Sequence, residues 1–190
     1  MDKEYITIVS GLPRSGTSLM MQMLQAGGLP VLSDGLRMAD ENNPRGYLEF
    51  EPVKRLRTER SWLPQARGKA VKIIHLLLRE LPLDGSLTYR IIFMQRPIEE
   101  VIASQSAMLL RDGKAAADPQ VLQKVFESQL AQLEPWLAGR PDVAVLPVAY
   151  HRVLRAPGAV VEELRTFLGL DLDSAAMVRA VDPSLYRQRG

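Results

Sequence analysis

The chain has 190 residues, 46% hydrophobic, 24% charged and 6% aromatic, with a formal net charge of +2 and no cysteine. That composition belongs to a folded globular chain and excludes the low-hydrophobicity disordered class, while a charge so near balance offers no global attraction to nucleic acid or an anionic membrane. Without cysteine there are no disulfide staples, thiolate metal sites or cysteine nucleophiles.

One domain over residues 1–190 is expected from the length. The longest apolar stretch, near Val71 to Leu78, is interrupted by Lys72 and His75 and is too short to span a bilayer. The N-terminus enters a strand-like run with no basic-then-apolar leader, so a reducing cytoplasm is the expected compartment.

Tyr5-Ile-Thr-Ile-Val9 is a β-branched run of the kind that forms a buried strand. It stops at Gly11-Leu-Pro-Arg-Ser-Gly16, after which Leu19, Met20, Met23 and Leu24 recur at helical spacing until Gly27-Gly28. Pro30 to Leu32 reads as a brief second strand, Ser33 to Tyr47 as a long polar connection, and Glu51 to Trp62 as a helix with Arg and Lys outermost. Ala70 to Ile74 and Arg90 to Met94 are the next strands. Pro97 opens a helix running to Leu110, which Asp112-Gly113 breaks. Asp118-Pro119 starts a longer helix whose Val121, Leu122, Val125, Phe126, Leu130 and Leu133 form one stripe, expected in the core. Val143 to Val148 is a further strand, and Pro157 to Leu168 a closing helix ended by Gly169. This alternation predicts an α/β three-layer sandwich with a central parallel sheet, binding ligands at the carboxyl ends of its strands.

The strongest local signal is Gly11-Leu12-Pro13-Arg14-Ser15-Gly16-Thr17-Ser18, lying between strand and helix. Its glycines let successive N–H groups turn inward as an anion nest, and the helix N-terminus adds its dipole. Strand, loop and amphipathic helix in that order make it a phosphate loop, of the P-loop nucleoside-triphosphate-hydrolase type. Nucleotide hydrolases carry Lys directly after the second Gly; here that residue is Thr17, and the nearest cation is Arg14. The candidate strand ends, Ile74-His75, Met94-Gln95-Arg96 and Pro147-Val148, also lack the Asp that helps hold magnesium. Sulfuryl transfer fits that pattern, because the SO3 group carries less charge than a phosphoryl group and protein donors alone can stabilise its leaving group.

A second signal is Arg96-Pro97-Ile-Glu-Glu-Val-Ile-Ala-Ser104, which places a guanidinium and a hydroxyl just over two helical turns apart. Converging on one ligand, the pair could grip a phosphate. The loop from Pro13 to Ser18, the Arg96–Ser104 pair, and Tyr150 with Pro157 and Phe167-Leu168-Gly169 form an ordered set. Together they resemble the sulfotransferases that use 3′-phosphoadenosine 5′-phosphosulfate (PAPS), in particular small bacterial members. The resemblance implies that Arg14, Ser15, Gly16, Thr17 and Ser18 hold the 5′-phosphosulfate, with Arg14 where many members have Lys. It implies that Arg96 and Ser104 hold the 3′-phosphate and that Tyr150 lies near the adenine or its ribose. The basic C-terminus with Arg187 and Arg189 resembles a loop that some members close over the 3′-phosphate, although the Gly-rich, Trp-containing segment of longer members is missing.

An acceptor hydroxyl needs a base, and three residues compete. His75 resembles the His after the third strand of cytosolic members, Asp34 lies roughly where tyrosylprotein enzymes place a carboxylate, and Glu49 sits in Asn42-Asn-Pro-Arg-Gly-Tyr-Leu-Glu49, which resembles a stretch in bacterial members. The long connection is a candidate acceptor loop, with Arg37, Arg45 and Tyr47 as contacts. The expected function is therefore sulfuryl transfer from PAPS, without a metal, to a hydroxyl or amine of a small-molecule or peptide acceptor. Two alternatives stay open: a small-molecule kinase using ATP and magnesium, and a nucleotide-binding protein without chemistry.

Overall fold

The structure is a computed structural model that describes residues 5–40, 43 and 45–182. Tyr5–Gly11 (β1), Ala70–Lys72 (β2), Thr88–Gln95 (β3) and Val143–Ala149 (β4) form one sheet in the order β2-β1-β3-β4. All its pairings are parallel, with Ile8 beside Val71 and Ile91, and Ile91 beside Val145. Strand residues alternate between two faces. Val9, Ile92 and Val148 meet the buried sides of Thr17–Ala26 (α1), Tyr150–Arg155 (α4), Pro157–Leu168 (α5) and Ser174–Arg179 (α6). Ile6, Ile8, Val71, Ile91 and Phe93 pack on the opposite face against short 3-10 turns and Leu133 of Pro119–Leu137 (α3). Ile98–Arg111 (α2) joins α3 around Val101, Ile102, Phe126 and Leu12. The α/β three-layer sandwich expected from the alternation is the observed fold.

Four local expectations differ. Pro30 to Leu32 is not a sheet strand: Val31 makes a single parallel bridge to Ala70. The chain then turns away at Asp34, whose side chain accepts the Leu36 N–H. Glu51 to Trp62 is not an α-helix but a 3-10 segment, Glu51–Arg55, followed by turns. A continuous helix from buried Val53 and Leu56 would carry Glu59 and Arg60 into the core, whereas 3-10 winding followed by a turn seats Trp62 and Leu63 there. The strand from Ala70 stops at Lys72, two residues early, and a 3-10 turn begins at His75. On α3 only part of the stripe is core. Phe126 and Leu133 are buried, while Val121 and Val125 are exposed.

The sheet order makes β1 the turning point, because the chain goes from β1 outward to β2 and then crosses to β3 on the other side. The crevice above β1 and β3 is where a doubly wound sheet receives ligands. The Gly11–Ser18 loop and Arg96 both lie there.

Candidate functional site

β1 ends at Gly11, with φ +148°, and a Cβ there would lie 2.5 Å from Ser15 Oγ and 2.6 Å from the Met94 carbonyl oxygen. The loop therefore presses against the end of β3, an approach only glycine allows. Arg14 and Gly16 both have positive φ, 65° and 102°, the alternation that turns backbone N–H groups into a shared concavity. A Cβ at Gly16 would stand 2.4 Å from the Tyr150 ring, so the loop and the start of α4 are fitted to each other. α1 begins at Thr17 with no side-chain cap and no acid in its first turn, leaving its N-terminal dipole for an anion. Ser15 Oγ is buried with no hydrogen-bond partner. An orphan hydroxyl inside such a loop suits an anionic oxygen.

Beside the loop, Arg96 leaves β3 almost fully buried. Its Nη1 donates to the Arg14 carbonyl at 3.1 Å and its Nε to Glu100 at 2.9 Å, while its guanidinium lies 4.8 Å from the Tyr150 ring centre. Glu100 also pairs with His151 Nε2, at 2.9 Å. A buried cation shared between a carboxylate, a carbonyl and an aromatic face is fixed in orientation. Ser104, two turns along α2, accepts from Arg14 Nε at 3.2 Å. The structure thus brings Arg14, Ser15, Gly16, Thr17, Ser18, Arg96, Ser104 and Tyr150 to one end of the sheet.

On the β2 side of the loop lies a cleft of about 180 Å³, lined in part by Arg14, Thr17, Arg37, Tyr47, Glu49 and Lys72. Lys72 Nζ donates to Ser18 Oγ at 3.0 Å, to the Tyr47 carbonyl at 3.3 Å and to Glu49 at 3.1 Å. Arg37 holds the same carboxylate at 3.0 and 3.2 Å and stacks over Tyr47 at 3.5 Å. Burial pushes the Lys72 ammonium below its ordinary value, against the pull of Glu49. For Glu49 burial acts upward, but Lys72 and Arg37 outweigh it and hold the carboxyl below its usual range. For Arg14, burial lowers the guanidinium, helped by neighbouring Arg111, Arg96 and Arg37. A site with this concentration of positive charge is built to be completed by an anion.

The remaining candidates fall elsewhere. Asp34 is exposed, and its carboxylate accepts the backbone N–H groups of Leu36 and Glu51 at 3.0 and 2.6 Å. Burial has the largest single effect on it, but those donors outweigh it and lower its pKa. His75 is buried, with Nε2 2.8 Å from Gln129 Oε1, and its Nδ1 faces the Gly11 backbone without reaching hydrogen-bond geometry. It does not line the cleft. Arg45 reaches the Ala180 carbonyl and Asp182, tying the long connection to the chain beyond α6. Arg187 and Arg189 lie outside the described residues.

Two participants escaped sequence reasoning. Lys72 registered only as an interruption of an apolar run, yet a cation at the carboxyl end of a buried strand is itself a signal. Glu100 is the acid that orients Arg96, and the clue was its i,i+4 spacing from that residue.

A parallel sheet with a glycine-rich loop at its turning point and helices on both faces defines a P-loop-like α/β fold. No protein-family model and no curated protein sequence matches the chain. Among solved structures it is similar to the sulfotransferase domain of the Synechococcus PCC 7002 olefin synthase, at 16% identity and TM-score 0.57, covering 97% of this chain and 86% of that one. It is also similar to sulfotransferase STF1 from Mycobacterium tuberculosis, at 16% identity and TM-score 0.58, covering 94% and 70%. A third likeness is to mouse sulfotransferase SULT7A1 complexed with adenosine 3′,5′-bisphosphate (PAP), at 14% identity and TM-score 0.57, covering 94% and 63%. The fold of this chain is the fold of these sulfotransferases.

Proposed function

We propose that the chain is a sulfotransferase that moves the sulfuryl group of PAPS to a hydroxyl acceptor. One observation carries this reading. Arg14, within the loop, and Lys72, beside it on β2, line the same cleft, and Lys72 is paired at 3.1 Å with Glu49, the carboxylate of that cleft. A cation for the leaving oxygens and a base for the acceptor thus stand next to each other, as in-line transfer requires.

The residues suit the donor. The inward-turned loop and the Ser15 hydroxyl fit a 5′-phosphosulfate, and Arg96, 4.8 Å from the Tyr150 ring centre, supplies a guanidinium for a 3′-phosphate. In the reaction the acceptor oxygen bonds to sulfur, the sulfur–oxygen bond to the 5′-phosphate breaks, and PAP leaves with the charge that Arg14 and Lys72 neutralise. The hydroxyl proton goes to Glu49. His75 and Asp34 are supporting groups in this reading, since their polar atoms face Gln129 and backbone N–H groups.

The test is calorimetric titration with PAP in the presence of chelator, on wild type and Arg96→Lys, followed by transfer from labelled PAPS. PAP binding weakened at least about tenfold in Arg96→Lys is expected, because lysine cannot reproduce the guanidinium fork. A folded wild type that ignores PAP but binds ATP with magnesium would replace this reading with the kinase one.

A further inference from the structure

The sulfuryl-transfer reading uses Arg96 and leaves unused the titratable group at the far end of its ion pair, His151. This histidine is the second residue of α4, and its side chain is 31% exposed. Its Nε2 lies 2.9 and 3.1 Å from the two carboxylate oxygens of Glu100, in the first turn of α2. Glu100 in turn accepts from Arg96 Nε at 2.9 Å, and Arg96 Nη1 donates to the Arg14 carbonyl at 3.1 Å. A chain of polar contacts therefore runs from solvent through His151, Glu100 and Arg96 to the Gly11–Ser18 loop. Its inner members, Arg96 and Glu100, have side chains only 7% and 10% exposed, so a charge added at the outer end is weakly screened.

Histidine is the side chain whose charge changes near neutral pH. With the ring neutral, Nε2 carries the hydrogen, because an ionised carboxylate only accepts, and a second proton goes to Nδ1. In the neutral state Glu100 and Arg96 cancel. In the protonated state the three side chains carry one net positive charge, and Glu100 is shared between two cations. An anion held by Arg96 gains from that charge, and by linkage the bound anion holds the proton on His151. The surroundings of the ring include Tyr150, with 6.2 Å between ring centres and Arg96 over its face. Arg152 is paired with Glu163 of α5, Arg155 is exposed one turn further along α4, and Arg14 lies beyond Arg96 in the loop.

We propose, on the basis of the nucleotide reading above, that His151 is a positioning residue that makes nucleotide binding proton-linked. Uptake of a proton at Nδ1 strengthens the hold of Arg96 on the 3′-phosphate, and loss of that proton relaxes it.

The experiment is calorimetric titration with PAP at about pH 8, 7 and 6, on wild type and His151→Gln. Glutamine still offers Glu100 a donor but does not titrate. The phosphates of PAP and the other histidine, His75, are common to both titrations, so their own protonation cancels in the comparison. From about pH 8 to about pH 6, wild-type affinity is expected to rise about fivefold or more relative to the variant. Near pH 8 the two proteins should agree within about threefold. Repeating the titration in two buffers of different ionisation enthalpy should show wild type taking up more protons per PAP than the variant. Equal pH slopes and equal proton uptake would overturn the proposal and leave sulfuryl transfer untouched. A uniform loss of affinity at every pH in His151→Gln would overturn it too, reducing His151 to a structural support. A folded wild type that binds no PAP at any pH would remove the nucleotide reading and this proposal with it.

Discussion

Replacing Lys72 by methionine keeps most of the side-chain stem and removes its charge, and with it three hydrogen bonds. Removing one partner of a buried ion pair commonly costs about 3–5 kcal/mol because the other charge is stranded. Glu49 is not stranded here, since Arg37 still holds it at 3.0 and 3.2 Å and about a quarter of its side chain meets solvent. The expected folding loss is therefore only about 1–2 kcal/mol, a Tm decrease of roughly 2–8 °C for a chain this long. Catalysis should suffer far more. One preorganised donor at a developing charge is worth about 10²–10³ in kcat. PAP retains the 5′-phosphate oxygens that Lys72 faces in this reading, so its affinity should fall as well, by about tenfold, and less than turnover does. The assay pairs calorimetry with PAP against single-turnover release of PAP from PAPS. A Lys72→Met protein that keeps kcat within about threefold would refute the role given to Lys72. So would equal losses of PAP affinity and turnover, which would place the lysine on the nucleotide instead.

Gly16→Ala would put a Cβ 2.4 Å from the Tyr150 ring at a φ of +102°, and a loss of about 2–4 kcal/mol is expected; differential scanning fluorimetry should read a clear fall in Tm, and an unchanged Tm would mean that the loop is looser than described. His75 is pushed below its ordinary value by burial, which outweighs its contacts with Gln129 and Gly11, so the unfolded chain takes up this proton first. Its contribution to stability is complete above about pH 6.5 and is lost as pH falls from there toward the lower folded value. A His75→Gln protein should lose that part of the slope of Tm between pH 5 and 7.5, while an unchanged slope would assign it to other groups. For Glu49, Lys72 and Arg37 outweigh burial and depress the carboxyl, so its charged form is retained down to below about pH 4.3. Arg37→Ala removes one of those cations and should move the acid limb of kcat/KM to higher pH. A limb that stays where it is in wild type would show that Glu49 is not the group being titrated.

The parts of the fold legible in the sequence were those written in local periodicity and punctuation. Tyr5 to Val9 announces a buried strand, and Gly169, at φ 58°, ends α5 as a left-handed cap should. Between Glu51 and Trp62 the charged residues have helical spacing, but the fold there is decided by where Trp62 and Leu63 find the core. Val31 makes one bridge to Ala70, with Pro30 and Leu32 bonded to the Ala70 backbone, and nothing local in the sequence says that pairing stops after a single residue. The strand–loop–helix turn from Gly11 to Ser18 was legible because eight consecutive residues set its shape.

What local sequence could not supply was the partner of that loop. A phosphate loop without a lysine after its second glycine looks short of charge, and reading along the chain offers only Arg14 as a remedy. The sheet offers another, because Val9 of β1 is in register with Lys72 of β2. The loop extends from one strand end while the lysine projects from the adjacent one, and its ammonium comes to 3.0 Å from Ser18. The cation is displaced by 54 residues in sequence but not in space. Glu49 follows from the same placement. It lies on the connection that must cross the end of β2, so the lysine that faces the loop also holds the carboxylate. Read along the chain, the choice among the three competing bases stays open; in the fold Glu49 lines the cleft, while His75 lies against Gln129 and Asp34 on a turn.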